Sequence, residues 1–289
     1  MIDLDNPQHR EDLAQRIKED INDYCKELYR EGHRNHLGAS LMGEACDRKL
    51  FNVFRWVKEE DINGRVQRLF QVGKMAEPRF IQYLRGIGFE VWDKPENDKQ
   101  FRISAHNGHY GGSLDGVCKP PARYGIDENI VFLDEFKTNG TGAGFTNVNT
   151  KGLKAEKPKH YEQMCQYGYH YKIKYGLYLI ENKNDSDIIV QIVELDWKRG
   201  AELEKRAGDI INAKFPPAKI AENPSYYDCK FCTFSGICHE GQPVEKNCRS
   251  CKLASPVENA EWYCDRFKMI IPKDFIKVGC DGHTSIMDQ

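Results

Sequence analysis

Three side chains near the middle of the chain have the types and spacing of a metal-assisted hydrolytic site. Glu135 and Lys137 lie two residues apart in a segment rich in β-branched and aromatic residues, so a strand would place both on one face. Asp115, on an earlier strand, could meet Glu135 across the sheet. Two carboxylates and the main-chain carbonyl of Phe136 would form an oxygen site suited to Mg²⁺ or Mn²⁺. Lys137 would then lie beside the attacking water or a scissile phosphate.

This pattern alone has an ordinary alternative, because charged residues are common at the solvated edges of strands. Two further features favour chemistry. Glu77 follows Gly73 on a predicted helix and is free to supply a third carboxylate. Gln163 and Tyr167 are spaced four residues apart, which places them on one face of a later predicted helix.

A basic stretch begins shortly after the predicted strand. From 151 to 174 the sequence has six lysines and two glutamates, a local net charge of +4, although the formal net charge of the whole chain is −2. A phosphate backbone would therefore be recognised by this local charge and not by a global basic field. The residues we expect to bind DNA here are Lys151, Lys154, Lys157, Lys159 and His160.

The elements that must position these residues follow from periodicity and from turn residues. We predict helices over 7–30, 43–56, 63–85, 160–171 and 197–214, and strands over 89–92, 101–103, 110–118, 130–137, 175–180 and 188–195. A loop is expected over 138–152. On the first helix the apolar stripe consists of Leu13, Ile17, Ile21, Cys25 and Leu28. The order of elements predicts an α/β or α+β fold with a mixed central sheet.

The eleven cysteines concentrate late in the chain. The sequence lacks an export signal, so we expect a cytoplasmic protein in which clustered cysteines bind metal and do not form disulfides. One set is compact, Cys229-x2-Cys232-x5-Cys238, and needs a fourth ligand. The second set comprises Cys248, Cys251, Cys264 and either Cys280 or His283 and is typical of zinc. His239 is a weaker candidate ligand for either set. We predict a first domain over 1–240 and a small zinc-binding module over 241–289.

Taken in order, the motifs resemble the RecB-type branch of the PD-(D/E)XK nucleases, especially phage-type exonucleases of recombination and replication. They are GxxxE at Glu77, GSLDG at Asp115, DEFK at Glu135 and Lys137, and QxxxY at Gln163 and Tyr167. The resemblance covers roughly residues 40–240 and implies a restriction-endonuclease-like core. It implies that Asp115 and Glu135 bind divalent metal, that Lys137 assists the nucleophile, and that Gln163 and Tyr167 contact the substrate. Many relatives have a histidine where this chain has Glu77.

A second resemblance concerns Cys46, which precedes Arg48-Lys49-Leu50 far upstream of the CxxCx5C set. This arrangement is similar to the iron–sulfur nucleases, which include the AddB-type helicase–nucleases and the CRISPR adaptation nucleases. It implies that Cys46, Cys229, Cys232 and Cys238 hold a [4Fe–4S] cluster. Four thiolates fit such a cluster, and they also fit structural zinc.

The expected function is a Mg²⁺- or Mn²⁺-dependent deoxyribonuclease, with exonucleolytic action favoured. The alternative is a catalytically silent module on a nuclease fold that binds DNA or protein. The zinc element could also dock a replication or recombination protein. No apolar run approaches the length needed to cross a bilayer, so no membrane partner is expected.

Overall fold

The computed structural model describes residues 3–94 and 100–288. Its helices lie at both ends of the main domain and between its strands. In chain order they are α1 Pro7–Leu28, α2 Asp47–Phe54, α3 Gly64–Gly86, α4 Ala143–Lys151, α5 Leu153–Glu156, α6 Pro158–Tyr171, α7 Trp197–Ile211, α8 Tyr227–Lys230, α9 Ser235–Glu240 and α10 Lys273–Ile276. None of the helices within these described ranges is both long enough and apolar enough to cross a bilayer.

The strands form three sheets. In chain order they are β1 Leu37–Gly38, β2 Glu90–Trp92, β3 Arg102–Ala105, β4 Tyr110–Ser113, β5 Gly116–Lys119, β6 Phe132–Asn139, β7 Tyr175–Asn182, β8 Ile188–Glu194, β9 Ala254–Pro256, β10 Trp262–Cys264 and β11 Met269–Ile270. The largest sheet has the order β2-β5-β6-β7-β8, and the two small sheets have the orders β1-β4-β3 and β11-β10-β9. The architecture is therefore mixed α/β, as the order of elements predicts.

The central sheet is mixed because one of its pairs is parallel. Strands β6 and β7 run parallel, whereas β2–β5, β5–β6 and β7–β8 are antiparallel. The crossover from β6 to β7 contains α4, α5 and α6, which is the usual means of joining parallel neighbours. One face of β6 packs on α3, where the rings of Phe136 and Phe80 lie 5.6 Å apart. The opposite face, which carries Glu135 and Lys137, turns towards α6.

The segment 110–118 differs from its prediction as one strand. It forms two strands in different sheets: β4 pairs with β3, and β5 pairs with β6. The break occurs at Leu114, whose N–H donates to the carbonyl of Phe101 at 3.0 Å, and at Asp115. Alternation of residue types cannot reveal such a break, since both halves keep the extended conformation. The break leaves Asp115 between the two sheets.

Two other predictions are wrong in detail. The predicted loop over 138–152 contains α4, which buries Phe145 and Val148 against the core. The second helix begins at Asp47, four residues later than predicted, because Cys46 caps it: the thiol sulfur accepts from the N–H of Lys49 at 3.4 Å. The long helices α3 and α6 lie within two residues of their predicted bounds.

The apolar stripe of α1 is mostly solvent-exposed. Of its five members only Cys25 is buried, and half of the surface of Ile17 remains exposed (50%). Helix α1 packs chiefly on α3, where the chain approaches closely at Gly64: a Cβ added there would lie 1.9 Å from the carbonyl oxygen of Asn22. The stripe therefore does not face the main core.

The tail folds back onto the N-terminal segment. Strands β9, β10 and β11 form a small antiparallel sheet whose Trp262 is buried against Phe54 of α2, with the two rings 5.4 Å apart. A hydrogen bond from the backbone N–H of Glu245 to the carbonyl of Val57 adds to this contact. All eleven cysteines are free thiols.

The close packing of α7 on α6 can be tested by adding a methyl group at the contact between the two helices. At Gly200 of α7 an added Cβ would lie 2.4 Å from the carbonyl oxygen of Cys165 on α6. We expect Gly200→Ala to destabilise the protein by about 1–3 kcal/mol, as overpacking does, and to lower the urea midpoint accordingly.

Gly86, at the exposed end of α3, is the matched control, because a Cβ there would meet nothing within 4 Å. Gly86→Ala should leave stability unchanged or raise it by up to about 1 kcal/mol. Equal midpoints for the two variants in urea would contradict the packing of α7 on α6.

Candidate active site

The strand β6 carries a buried carboxylate and an ammonium group on one face. Glu135 is fully buried, and the Lys137 side chain retains 28% of its exposure. The two form an ion pair. Strand β7 pairs with β6 along its whole length, including Glu135 and Lys137, whereas β5 pairs only with the part of β6 that ends at Asp134. The ion pair is therefore held by the ladder to β7, just beyond the point where the pairing with β5 stops.

Asp115 lies beside this pair at the junction of β4 and β5. Its Oδ2 accepts from the N–H of Phe136 at 2.7 Å, which fixes the carboxylate against β6. The carbonyl of Phe136, the expected main-chain metal ligand, accepts from Nζ of Lys137 at 3.1 Å. The predicted meeting of Asp115 and Glu135 across the sheet is thus supported by a direct contact between the two strands.

Glu77 on α3 is the third carboxylate. It is half-buried, and its pKa is raised by burial and by the negative charge of Asp115, while Lys137 opposes the rise. These interactions require Glu77 to lie close to both residues. The helix that packs on one face of β6 thereby contributes a side chain to the group around Asp115.

Burial dominates the electrostatics of the group. It raises the pKa of Glu135 to about 7 and also raises that of Asp115, and Lys137 lowers both. Lys137 is the ammonium group paired within the three carboxylates, and Lys74 also acts on Glu77. The three acids exceed this positive charge when ionised, so the group favours a further cation. Within the described ranges, no three His, Cys, Asp or Glu side chains are already arranged to hold a metal ion.

Gln163 and Tyr167 of α6 lie over Glu135. Nε2 of Gln163 donates to Oε2 of Glu135 at 3.2 Å and lies 3.5 Å from the Tyr167 hydroxyl. Tyr167 is buried, and Gly112 of β4 leaves the space it needs: a Cβ there would lie 2.6 Å from the hydroxyl oxygen. The five positions predicted from the motifs are therefore neighbours in the structure.

A groove of about 690 Å³ opens from Gln163 and Tyr167. It is lined on its other side by Arg34 and Arg102, which supply positive charge, and by polar Ser40. Sequence reasoning missed these residues. They come from separate loops and strands with no shared spacing, and only the pairing of β1, β4 and β3 brings them together.

The predicted lysines do not line this groove. Lys159 pairs with Glu44 at 2.7 Å, Lys151 lies 4.0 Å from Glu156, and Nζ of Lys154 lies 5.2 Å from the centre of the Tyr161 ring. Lys157 approaches Gly144 of α4. The local charge of the stretch is thus partly neutralised by neighbouring residues.

His160 is half-buried and turns inward from the basic stretch. Nδ1 of its ring is 2.9 Å from the hydroxyl of Tyr178, which lies beside Glu135 on β7. Burial, together with the positive charge of Lys137, lowers the pKa of His160 to about 3, so the ring is neutral at pH 7. A neutral imidazole that is hydrogen-bonded to Tyr178 is better suited to holding that tyrosine in place than to binding a phosphate by charge.

The upstream cysteine set gathers in one cavity. Its lining includes Cys46, Cys229, Cys232 and Cys238, together with His239. Burial raises the pKa of the three late cysteines, and Cys46 adds to the rise of each. Cysteine thiolates have the donor chemistry of structural zinc and of an iron–sulfur cluster. In residues 3–94 and 100–288, however, no three His, Cys, Asp or Glu side chains are arranged as a metal site, and this includes the four cysteines of this cavity.

The tail set gathers in a second, separate cavity. Cys248, Cys251, Cys264 and Cys280 all line it, and so does His283. The two sets share no residue. The two sets of cysteines therefore line different cavities, and their role as metal ligands stays a prediction.

Comparisons with known proteins give only distant similarity. No protein-family model matches the chain, and no curated protein matches it significantly. Among solved structures it is similar to LHK-Exo in complex with dAMP (18% identity, 61% of this chain and 86% of that chain, TM-score 0.41). It is also similar to the alkaline exonuclease LHK-Exo from Laribacter hongkongensis (16%, 62% and 87%, 0.42) and to SSO0001 (15%, 77% and 96%, 0.43). What this chain does is inferred below from its own side chains.

Proposed function

We propose that this protein is a divalent-metal-dependent DNA nuclease that hydrolyses phosphodiester bonds. The observation that carries the proposal is the group of three carboxylates, Asp115, Glu135 and Glu77, around the ammonium of Lys137. A buried cluster of acids is costly to fold unless a cation completes it. The simplest reason for a protein to keep such a cluster around the central strand is that the cluster binds a metal ion.

The three carboxylates and the Phe136 carbonyl would hold Mg²⁺ or Mn²⁺, since hard oxygen donors are the ligands these ions prefer. When bound, the ion would stabilise negative charge on the phosphate and lower the pKa of a bound water. Glu77 is the least constrained of the ligands, because its side chain makes no hydrogen bond to any residue in the ranges 3–94 and 100–288.

The other residues of the group orient the substrate. Lys137 would donate to a phosphate oxygen or to the attacking water, as the cation nearest the transition state. Gln163 and Tyr167 supply an amide and a hydroxyl at the mouth of the groove, where they would contact the nucleotide beside the cleaved bond. Arg34 and Arg102 supply positive charge along the path of the strand.

The finer assignments are part of the same proposal. Exonucleolytic cleavage and a role in phage-type recombination or replication are supported by the order of the sequence motifs. We also propose action in the cytoplasm, of a host cell if the protein is phage-encoded. We assign these activities to residues 1–240. The lysines at 151, 154, 157 and 159 remain candidates for longer-range attraction of DNA.

Cleavage of end-labelled single- and double-stranded DNA tests the proposal. Wild-type protein should cut with Mg²⁺ or Mn²⁺ and stop with EDTA. Glu135→Gln and Lys137→Ala should each lower the rate by about 100-fold or more, as loss of a group that stabilises the transition state does.

Asp134→Asn is the matched control. Asp134 is the neighbour of Glu135 on the same strand, but it points to the other face and accepts from the thiol of Cys118 at 2.9 Å. This variant should keep cutting. DNA binding without cleavage under any divalent metal would favour the catalytically silent module, and full activity of Lys137→Ala would refute its catalytic role.

We also propose that Cys46, Cys229, Cys232 and Cys238 hold a structural [4Fe–4S] cluster, with zinc as the alternative occupant. The proximity of Cys46 to the three late cysteines supports it. The site would pin the segment around α8 and α9 onto the start of α2. The free energy of binding the metal or cluster would then contribute directly to the stability of the folded protein.

Metal and sulfide analysis of anaerobically purified protein, with a visible spectrum, distinguishes the two occupants. Cys46→Ser should lose the iron, or one of two zinc ions, while the tail zinc stays bound, and its melting temperature should fall because metal binding is coupled to folding. Cys25→Ser is the control, since Cys25 lies on α1 and outside both sets. Equal metal content in the two variants would exclude Cys46 as a ligand.

The tail module, residues 241–289, is proposed to bind zinc through Cys248, Cys251, Cys264 and either Cys280 or His283. Four ligands in a closed arrangement are characteristic of structural zinc. The module would offer a docking surface for a replication or recombination protein.

A further inference from the structure

Two arginines are buried where the tail meets the N-terminal segment. Arg55 retains 2% of its exposure and Arg249 retains 1%. Within residues 3–94 and 100–288, neither forms an ion pair with a carboxylate, and the Nε of each lacks a hydrogen-bond partner. A buried charge is expensive unless it is paired. The contact therefore contains two positive charges for which the described side chains provide no acidic partner.

Neutral groups surround both guanidinium groups. Arg55 donates to the carbonyls of Cys251 and Ala254 at 2.6 and 3.0 Å. Arg249 donates to the carbonyl of Asn35 at 3.1 Å and to that of Phe54. Carbonyl dipoles and aromatic faces reduce the cost of a buried cation, but they do not neutralise it.

Aromatic rings complete the enclosure of Arg249. Its guanidinium carbon lies 4.6 Å from the centre of the Phe54 ring, 4.3 Å from that of Trp56 and 4.6 Å from that of Trp262. Two of these rings belong to the N-terminal segment and one to the tail. Arg249 is thus the centre of the contact that holds the two together.

The tail cysteines are connected to both arginines. Arg249 is in the Cys248-x2-Cys251 turn, and Arg55 donates to the carbonyl of Cys251. Cys248, Cys251, Cys264 and Cys280 line one cavity. The ring of His283 is engaged elsewhere, with Nε2 2.9 Å from the hydroxyl of Ser250.

We propose that Cys248, Cys251, Cys264 and Cys280 bind a thiophilic divalent cation such as Zn²⁺, and that the resulting complex is the counter-charge of Arg55 and Arg249. Four thiolates and one divalent cation leave two net negative charges, which match two guanidinium groups. Three thiolates and the neutral ring of His283 would leave only one. On binding, the four thiols release their protons to solvent as four metal–sulfur bonds form.

This pairing explains why the tail stays on the nuclease core. With metal bound, the arginines are both neutralised and hydrogen-bonded, and the aromatic contact is stable. Without metal, both charges are buried and uncompensated, so the contact should open. The inference does not depend on DNA cleavage, and it can be tested on a protein that cuts no DNA.

The ligand set is tested on the full chain by zinc content and by the spectrum of the Co²⁺-substituted protein. His283→Gln should keep the metal and the four-thiolate spectrum. Cys280→Ser should lose zinc to a chromophoric chelator at least tenfold faster than the wild type. The reverse pattern would overturn the four-thiolate assignment, as would a tail that takes up no metal in the wild type.

The counter-charge is tested by Zn²⁺ affinity in competition with the same chelator. Arg249→Met keeps much of the side-chain bulk without the charge and should weaken Zn²⁺ binding at least tenfold, whereas Arg249→Lys keeps the charge and should weaken it less. Lys273→Met is the control, because Lys273 is an exposed cation of the tail that does not line the cavity, and it should change affinity less than twofold.

Arg55→Met gives an independent measurement in case Arg249→Met does not fold. Circular dichroism of each variant with zinc establishes whether it has folded. If folded Arg249→Met or Arg55→Met binds Zn²⁺ as tightly as the wild type, the arginines are not coupled to the metal and the proposal is wrong.

Discussion

The buried ion pair of Glu135 and Lys137 is the constraint around which the main domain is organised. An ionised carboxylate on a central strand has lost its water, and burial raises its pKa to about 7. The lysine two residues along the same strand and the amide of Gln163 replace part of that hydration. The ladder between β6 and β7, which includes both Glu135 and Lys137, keeps these partners in place. Any local slip of register would turn both side chains to the opposite face.

The remaining elements can be understood as supports for that pair. The break between β4 and β5 lets Asp115 reach the backbone of β6, and α3 brings Glu77 to the same point. The crossover that the parallel β6–β7 pair requires ends in α6, which carries Gln163 and Tyr167 over the carboxylates. The same topology thus provides both the strand with the acids and the helix that covers them.

The N-terminal segment around α2 is held from two directions. At its start, Cys46 faces the three cysteines that follow α7. At its end, Phe54, Arg55 and Trp56 form the contact with the tail around Arg249. The late part of the chain has little apolar periodicity of its own, and its buried residues, such as Phe234 and Trp262, join the core of the preceding elements.

Much of the site could be predicted because its signals are local. A spacing of two residues places Glu135 and Lys137 on one face of a strand, and a spacing of four places Gln163 and Tyr167 on one face of a helix. Both inferences hold whatever the rest of the fold is. The long amphipathic helices α3 and α6 were predictable for the same reason. The break at Asp115, the helix α4 and the exposure of the α1 stripe depend on what packs against each segment. The groove residues Arg34 and Arg102 depend on pairing between distant strands, for which no local pattern exists.

The central claim is that Asp115 and Glu135 together bind a divalent cation. Diffraction from crystals soaked in Mn²⁺, recorded where manganese scatters anomalously, tests it without an activity assay. We predict an anomalous peak between the two carboxylates in the wild type and its loss in Asp115→Asn. A wild-type crystal with no peak there, or a peak that persists in Asp115→Asn, would contradict the assignment of this group as the metal site.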